Sequence, residues 1–175
     1  MKQFLNPLLR SFFIPALALS CGPLLTAADL DRSDKEFIKD TYENGLAEVK
    51  FGEMAGAKGT TDDVKKFGTM ITTDHGKANT ELKTLADSKK VEVATDLTTV
   101  AKGKVTLLDK KAGADFDKAF AESMVDGHKK SIKAFEKAAN DAKDADVKAF
   151  ATKTLPTLKH HLTMAEELQA KVGKK

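Results

Sequence analysis

Cysteine is nearly absent from this chain. Cys21 is the only one, and it lies in the apolar N-terminal stretch, so the remainder can form no disulfide and offers no thiolate to a metal or a substrate. That excludes a disulfide-stapled scaffold and every cysteine-ligated zinc module. Tryptophan is missing and Tyr42 is the only tyrosine. Three of the four prolines, Pro7, Pro15 and Pro23, fall in the first 23 residues, which leaves Pro156 alone in the rest. There is no Gly-rich phosphate loop, no nucleophile elbow and no H-E-x-x-H pattern. Nucleotide, acyl-transfer and zincin chemistry in their usual sequence forms are therefore excluded.

Charge is also missing from one place. Between Ser11 and Ala28 there is none, and Lys2 and Arg10 precede an apolar run built on Phe12, Phe13, Ile14, Ala16, Leu17, Ala18 and Leu19. This is the order of a secretory leader, too short and too broken by proline to anchor in a bilayer. Thr26 and Ala28 fit a small-residue cleavage site, and composition turns charged at Asp29. The expectation is a leader over 1–28 and one mature domain over 29–175, exported and most naturally periplasmic, without a transmembrane span. The alternative is lipid anchoring through Cys21, since Ala18-Leu19-Ser20-Cys21 loosely resembles a lipobox. Removing Lys2 and Arg10 lowers the formal charge from +3 to +1. No basic field then remains to meet a nucleic acid.

What is plentiful is Ala, Lys and Leu in helical periodicity. The first helix is expected from a cap at Ser33 or Asp34 to about Ala57, stopping at Gly59. Thr61 caps a second that runs to about Lys89. Residues 91–113 form a crossover with a short helix near Val100 to Leu108. A third helix starts near Asp115, with Phe116, Phe120, Met124, Ile132 and Phe135 on one side. A fourth begins at Asp144 or Asp146 and contains Pro156, expected to bend it. Asp63-Val64-Lys65-Lys66-Phe67-Gly68 recurs as Asp146-Val147-Lys148-Ala149-Phe150-Ala151, each time opening the second helix of a hairpin. Two hairpins joined by a long connection are the layout of a ferritin-like four-helix bundle, so the fold class is all-α.

At about 3.6 residues per turn, four polar residues fall inside the apolar arcs: Glu48, His75, His128 and His161. If the crossover makes the hairpins point opposite ways, counting from the turns puts all four within about 10 Å of one level near mid-bundle. Imidazole and carboxylate suit Zn, Cu, Fe or Mn, and Met70, Met124 and Met164 nearby would favour copper. The bland reading is a buried polar cluster in which the histidines are satisfied by Glu48, Asp74 or water. His160 faces away from the stripe, and Glu53 sits at the edge of its arc.

The motif Met70-Ile71-Thr72-Thr73-Asp74-His75, with Leu82 and Leu85-Ala86, resembles that of the bacterial domain of unknown function 4142. So do Phe116-Asp117 with Met124-Val125-Asp126-Gly127-His128, and Leu155-Pro156-Thr157-Leu158 with His161-Leu162. The resemblance, from about Asp34 to Leu168, implies a ferritin-like fold and export, with no assigned activity. The matching family positions are Glu48, Asp74, His75, His128 and His161. Thr72 and Leu158 stand where a di-iron site would place the Glu of each Glu-x-x-His pair. The expected function is thus an exported helical bundle holding one transition metal ion, Zn, Cu or Fe, through Glu48, Asp74, His75, His128 and His161. The alternative is an envelope interaction or stress-protective protein with a structural polar cluster, its protein partner unknown. An enzyme is the weakest of the three readings, because no substrate motif accompanies the histidines.

Overall fold

The computed structural model describes residues 29–173, so the leader expected over 1–28, with Cys21, lies outside the described residues. Five helices follow in order: α1 (Arg32–Lys58), α2 (Asp62–Ser88), α3 (Thr99–Asp109), α4 (Gly113–Asp141) and α5 (Ala145–Val172). Side chains set most of their starts. Thr61 accepts from Val64 N–H to open α2, Thr98 from Ala101 N–H to open α3, and Asp144 from Asp146 and Val147 N–H to open α5. The cap of α1 is Asp31, which accepts from Ser33 N–H, and not Ser33 or Asp34. α4 begins two residues before Asp115, at Gly113, whose φ of +59° suits glycine.

The long helices make a ferritin-like four-helix bundle of two hairpins, α1–α2 and α4–α5, in which α1 also touches α4 and α2 touches α5. Polar contacts at the ends fix the direction of each helix. Near the start of α1, Asp34 accepts from the backbone N–H of Lys143 (3.0 Å) and Asp144 (2.7 Å), in the α4–α5 turn. Near the start of α4, Asp117 accepts from Thr60 N–H (3.0 Å) and from the Thr60 hydroxyl, in the α1–α2 turn. The hairpins therefore point opposite ways. The 90–112 crossover, carrying α3, returns the chain from one end of the bundle to the other. There the Lys58 ammonium meets the Asp109 carboxylate at 2.9 Å.

The two hairpins are related by a repeat at constant offset. The offset that relates Asp63 to Asp146 also relates Asp34 to Asp117 and Gly59 to Ala142. Gly59 and Ala142 share φ −54° and ψ 136°, and each donates its N–H to the carbonyl four residues back. Each aspartate buried near the start of one hairpin thus locks the turn of the other.

Apolar side chains fill the bundle as two separate clusters. One, around Phe51, Phe67, Ile71, Phe116, Phe120 and Met124, lies toward the α1–α2 turn. The other, around Ile38, Leu82, Phe135, Val147 and Leu158, lies toward the α4–α5 turn. Glycine allows α1 and α2 to approach closely: a Cβ on Gly68 would sit 2.7 Å from both the Ala55 Cβ and the Gly52 carbonyl oxygen. Between the two apolar clusters is a polar layer.

Candidate metal centre

Each long helix contributes to that layer from its middle: α1 gives Glu48, α2 gives Asp74 and His75, α4 gives His128, and α5 gives His161. His128 is 0 % and His161 1 % exposed, with Glu48 and His75 also buried, so these groups are withdrawn from bulk water and each needs a partner within the bundle. The three imidazole centroids form a nearly equilateral triangle with sides of 5.3, 5.4 and 5.5 Å.

Every ring has one nitrogen held outside the triangle. His75 Nδ1 is 2.9 Å from Glu48 Oε2. His128 Nδ1 donates to the Met124 carbonyl at 2.9 Å, with Glu48 Oε1 at 3.8 Å. His161 Nε2 donates to Asp74 Oδ2 at 3.1 Å. These acceptors require the N–H on the outer nitrogen of each ring, which in the neutral rings leaves the inner nitrogens as lone pairs. Two of them, His128 Nε2 and His161 Nδ1, face each other at 3.4 Å. Among the described residues, His75 Nε2 is buried with no hydrogen-bond partner. One nitrogen from each of the three histidines lies within 4.8 Å of the others.

Electrostatics divides the rings. Burial works to lower the pKa of His75, but the adjacent Glu48 carboxylate outweighs it, and His75 is held above its ordinary value. Burial likewise works to raise Glu48, and the imidazoles, His75 foremost, hold it below the usual carboxylate range. Burial dominates at His128, pushing it down against the pull of Glu48. At His161 it pushes the pKa down to about 4, although the Asp74 hydrogen bond opposes the shift. Glu48 thus favours the protonated form of His75, while burial favours the neutral forms of His128 and His161.

Of the other candidates, His160 is exposed, and Glu53 is exposed and paired with Lys50 at 3.0 Å. Met124 reaches the layer through its backbone carbonyl, while its side chain belongs to the apolar cluster against which Met70 and Met164 pack. Thr72, three residues before His75, bonds back to the Gly68 carbonyl at 3.0 Å. Asn79, one turn beyond His75 on the α2 stripe, is also buried, and its signal in the sequence is that of a polar residue in line with His75 and Leu82.

A cavity of about 210 Å³ adjoins the layer on the side of the α4–α5 turn, with Glu48, Asp74, His75 and His161 in its wall. The exposed Asp40 and Asn44 of α1 and Lys137 and Asp141 of α4 line it where it meets solvent.

The model of the family described as domain of unknown function (DUF4142) matches residues 21–168. The chain belongs to the DUF4142 family. No curated protein matches it. Among solved structures, this DUF4142 chain is similar to a DUF305 fragment from Deinococcus radiodurans, with a TM-score of 0.72 at 9 % identity over 81 % of this chain and 98 % of that one. It is also similar to CopM in its Cu(I)-bound form, with a TM-score of 0.65 at 15 % identity, and in its Cu(II)-bound form, with a TM-score of 0.63 at 13 % identity. Each CopM match covers 79 % of this chain and 96 % of that one. At such identities the likeness is one of fold.

Proposed function

We propose that this DUF4142 protein binds one transition metal ion through His75, His128 and His161, with Glu48 and Asp74 orienting the rings. The observation that carries this reading is the direction of the nitrogens. Three outer nitrogens are held by Glu48, the Met124 carbonyl and Asp74, while the inner ones converge. That is the second-shell arrangement of metal-bound histidine, in which the non-ligating N–H is tied to a carboxylate or carbonyl. The spacing agrees. Two nitrogens each about 2.05 Å from one ion at a tetrahedral angle lie about 3.3 Å apart, against 3.4 Å between His128 Nε2 and His161 Nδ1. Without a cation those two lone pairs repel, and the buried His75 Nε2 stays unpaired.

Imidazole ligands suit Zn, Cu and Fe alike. The fold shared with CopM, whose structures are described as Cu(I)- and Cu(II)-bound, makes copper the first ion to test. The N-terminal composition supports export: residues 1–28 as a cleaved leader and 29–175 as one periplasmic bundle domain, with Cys21 anchoring as the alternative. The competing reading, a purely structural polar layer in an envelope interaction protein, is favoured by the 2.9 Å contact between Glu48 and His75 Nδ1, which gives each group a partner without an ion.

Metal analysis of untagged protein after equilibration with copper or zinc separates the two. About one ion per chain should be retained by the wild type, and a small fraction of that by His75→Ala/His128→Ala/His161→Ala. Equal retention by both would leave only the structural reading. Retained metal should also raise the melting temperature reversibly to EDTA, as binding to the native state alone requires.

A further inference from the structure

The hairpin repeat that relates Asp34 to Asp117 also acts on the polar layer. It carries His75 to Leu158, His128 to Gly45, His161 to Ala78 and Glu48 to Ser131. All four of these counterparts line the cavity of about 210 Å³. Where one level of the bundle carries three imidazoles and a carboxylate, the level related to it by the repeat carries Leu158, Gly45, Ala78 and Ser131 and encloses space. The chamber is thus built by the repeat and sits at its second centre.

Its two ends differ in chemistry. Toward the α4–α5 turn the wall carries the side chains of Phe37, Leu82, Phe135 and Phe150, with Asp34, Lys137 and Asp141 around them. Toward the polar layer it presents the carboxylates of Glu48 and Asp74. Asn79, nine-tenths buried, also lines the chamber, and its amide Nδ2 has no hydrogen-bond partner among the described residues. A buried amide donor left unpaired is costly, so the chamber asks for an acceptor near Asn79 and a donor near the carboxylates. A hydroxyl is both at once. As for size, an apolar cavity of roughly 150 Å³ in another protein holds benzene.

We propose that the chamber is a binding site for a small single-ring molecule bearing one hydroxyl, of the phenol class. The ring lies among the phenylalanines, and the hydroxyl points toward Asn79 and the carboxylates. This occupancy does not require the metal, so it stands or falls apart from the metal reading.

The test uses EDTA-treated full-length mature protein and two probes, phenol and toluene, followed by NMR. Phenol should give saturable shifts at Asn79 and Leu158 and intermolecular NOEs to the Phe135 side chain. Toluene, which lacks the hydroxyl, should bind about tenfold more weakly, the worth of one hydrogen bond. Ala78→Leu, which fills the chamber from α2, should abolish the phenol shifts while its own spectrum stays that of a folded protein. The NOEs in the wild type locate the ligand even if that variant fails to fold. Absence of saturable phenol shifts, NOEs only to surface residues, equal binding of toluene, or unchanged phenol binding in folded Ala78→Leu would each overturn the proposal.

Discussion

His160 and His161 are neighbours in sequence and opposites in chemistry, because one step along a helix turns a side chain by about 100°. His161 faces the polar layer and its pKa falls to about 4, while His160 is exposed. In metal-free protein the unfolded chain therefore binds a proton at residue 161 that the folded chain refuses. Stability contributed there is complete above the unfolded value of about 6.5 and is lost as pH falls toward about 4, by up to about 3 kcal/mol. His75 has the opposite sign, since its folded pKa is raised: its contribution is complete at low pH and fades as pH rises through the folded value. Urea melts between pH 7 and 5 should show a flatter acid loss in His161→Gln than in wild type, and no change of slope in His160→Gln. The reverse pattern would mean that the inward face of α5 is misassigned. Glu48→Gln removes the main charge that holds His75 up, so burial is opposed only by the weaker pull of Asp74. The His75 ring should then titrate below its ordinary value in an NMR titration, and a pKa that stays raised would show that another group supports the imidazolium.

At the level of elements, the buried aspartates decide which way the hairpins face. Asp34 holds two backbone N–H groups of the α4–α5 turn, and Asp117 holds the N–H and hydroxyl of Thr60 in the other turn. Charged acceptors make strong hydrogen bonds, and removing one strands buried donors, so Asp34→Ala and Asp117→Ala should each cost about 3 kcal/mol. Hydrogen exchange at Lys143 and Asp144 should accelerate in Asp34→Ala, and at Thr60 in Asp117→Ala. Fast exchange at both turns in both variants would indicate global loosening instead. The periodicity of Val64, Phe67 and Ile71, or of Phe116, Phe120 and Met124, made the helices legible in sequence, because burial of one face leaves a repeating signature. Asp34 was readable only as a helix cap, and Asp117 gave no signal of its role. Their partners lie more than a hundred and more than fifty residues away respectively, and no local pattern encodes a bond to the far turn. The hairpin repeat alone could have linked the two.

Across the whole molecule, the opposed hairpins bring four half-helices to one level and turn scattered polar residues into a single layer between two apolar clusters. The members of that layer could be read from angular position, since Glu48, His75, His128 and His161 interrupt apolar stripes. Their division of labour could not. Which nitrogen of each ring faces inward depends on Asp74, Glu48 and a backbone carbonyl, and so on rotamers that spacing does not determine. That division is the core of the functional account: three imidazoles point at one position, and the carboxylates stand behind them. X-ray absorption at the copper edge, on mature protein loaded with one equivalent, examines it directly. The account predicts a first shell of nitrogen near 2.0 Å with the outer-shell scattering of about three imidazoles, and loss of that scattering in the triple His→Ala variant. A first shell without imidazole scattering, or the same spectrum from wild type and variant, would contradict it.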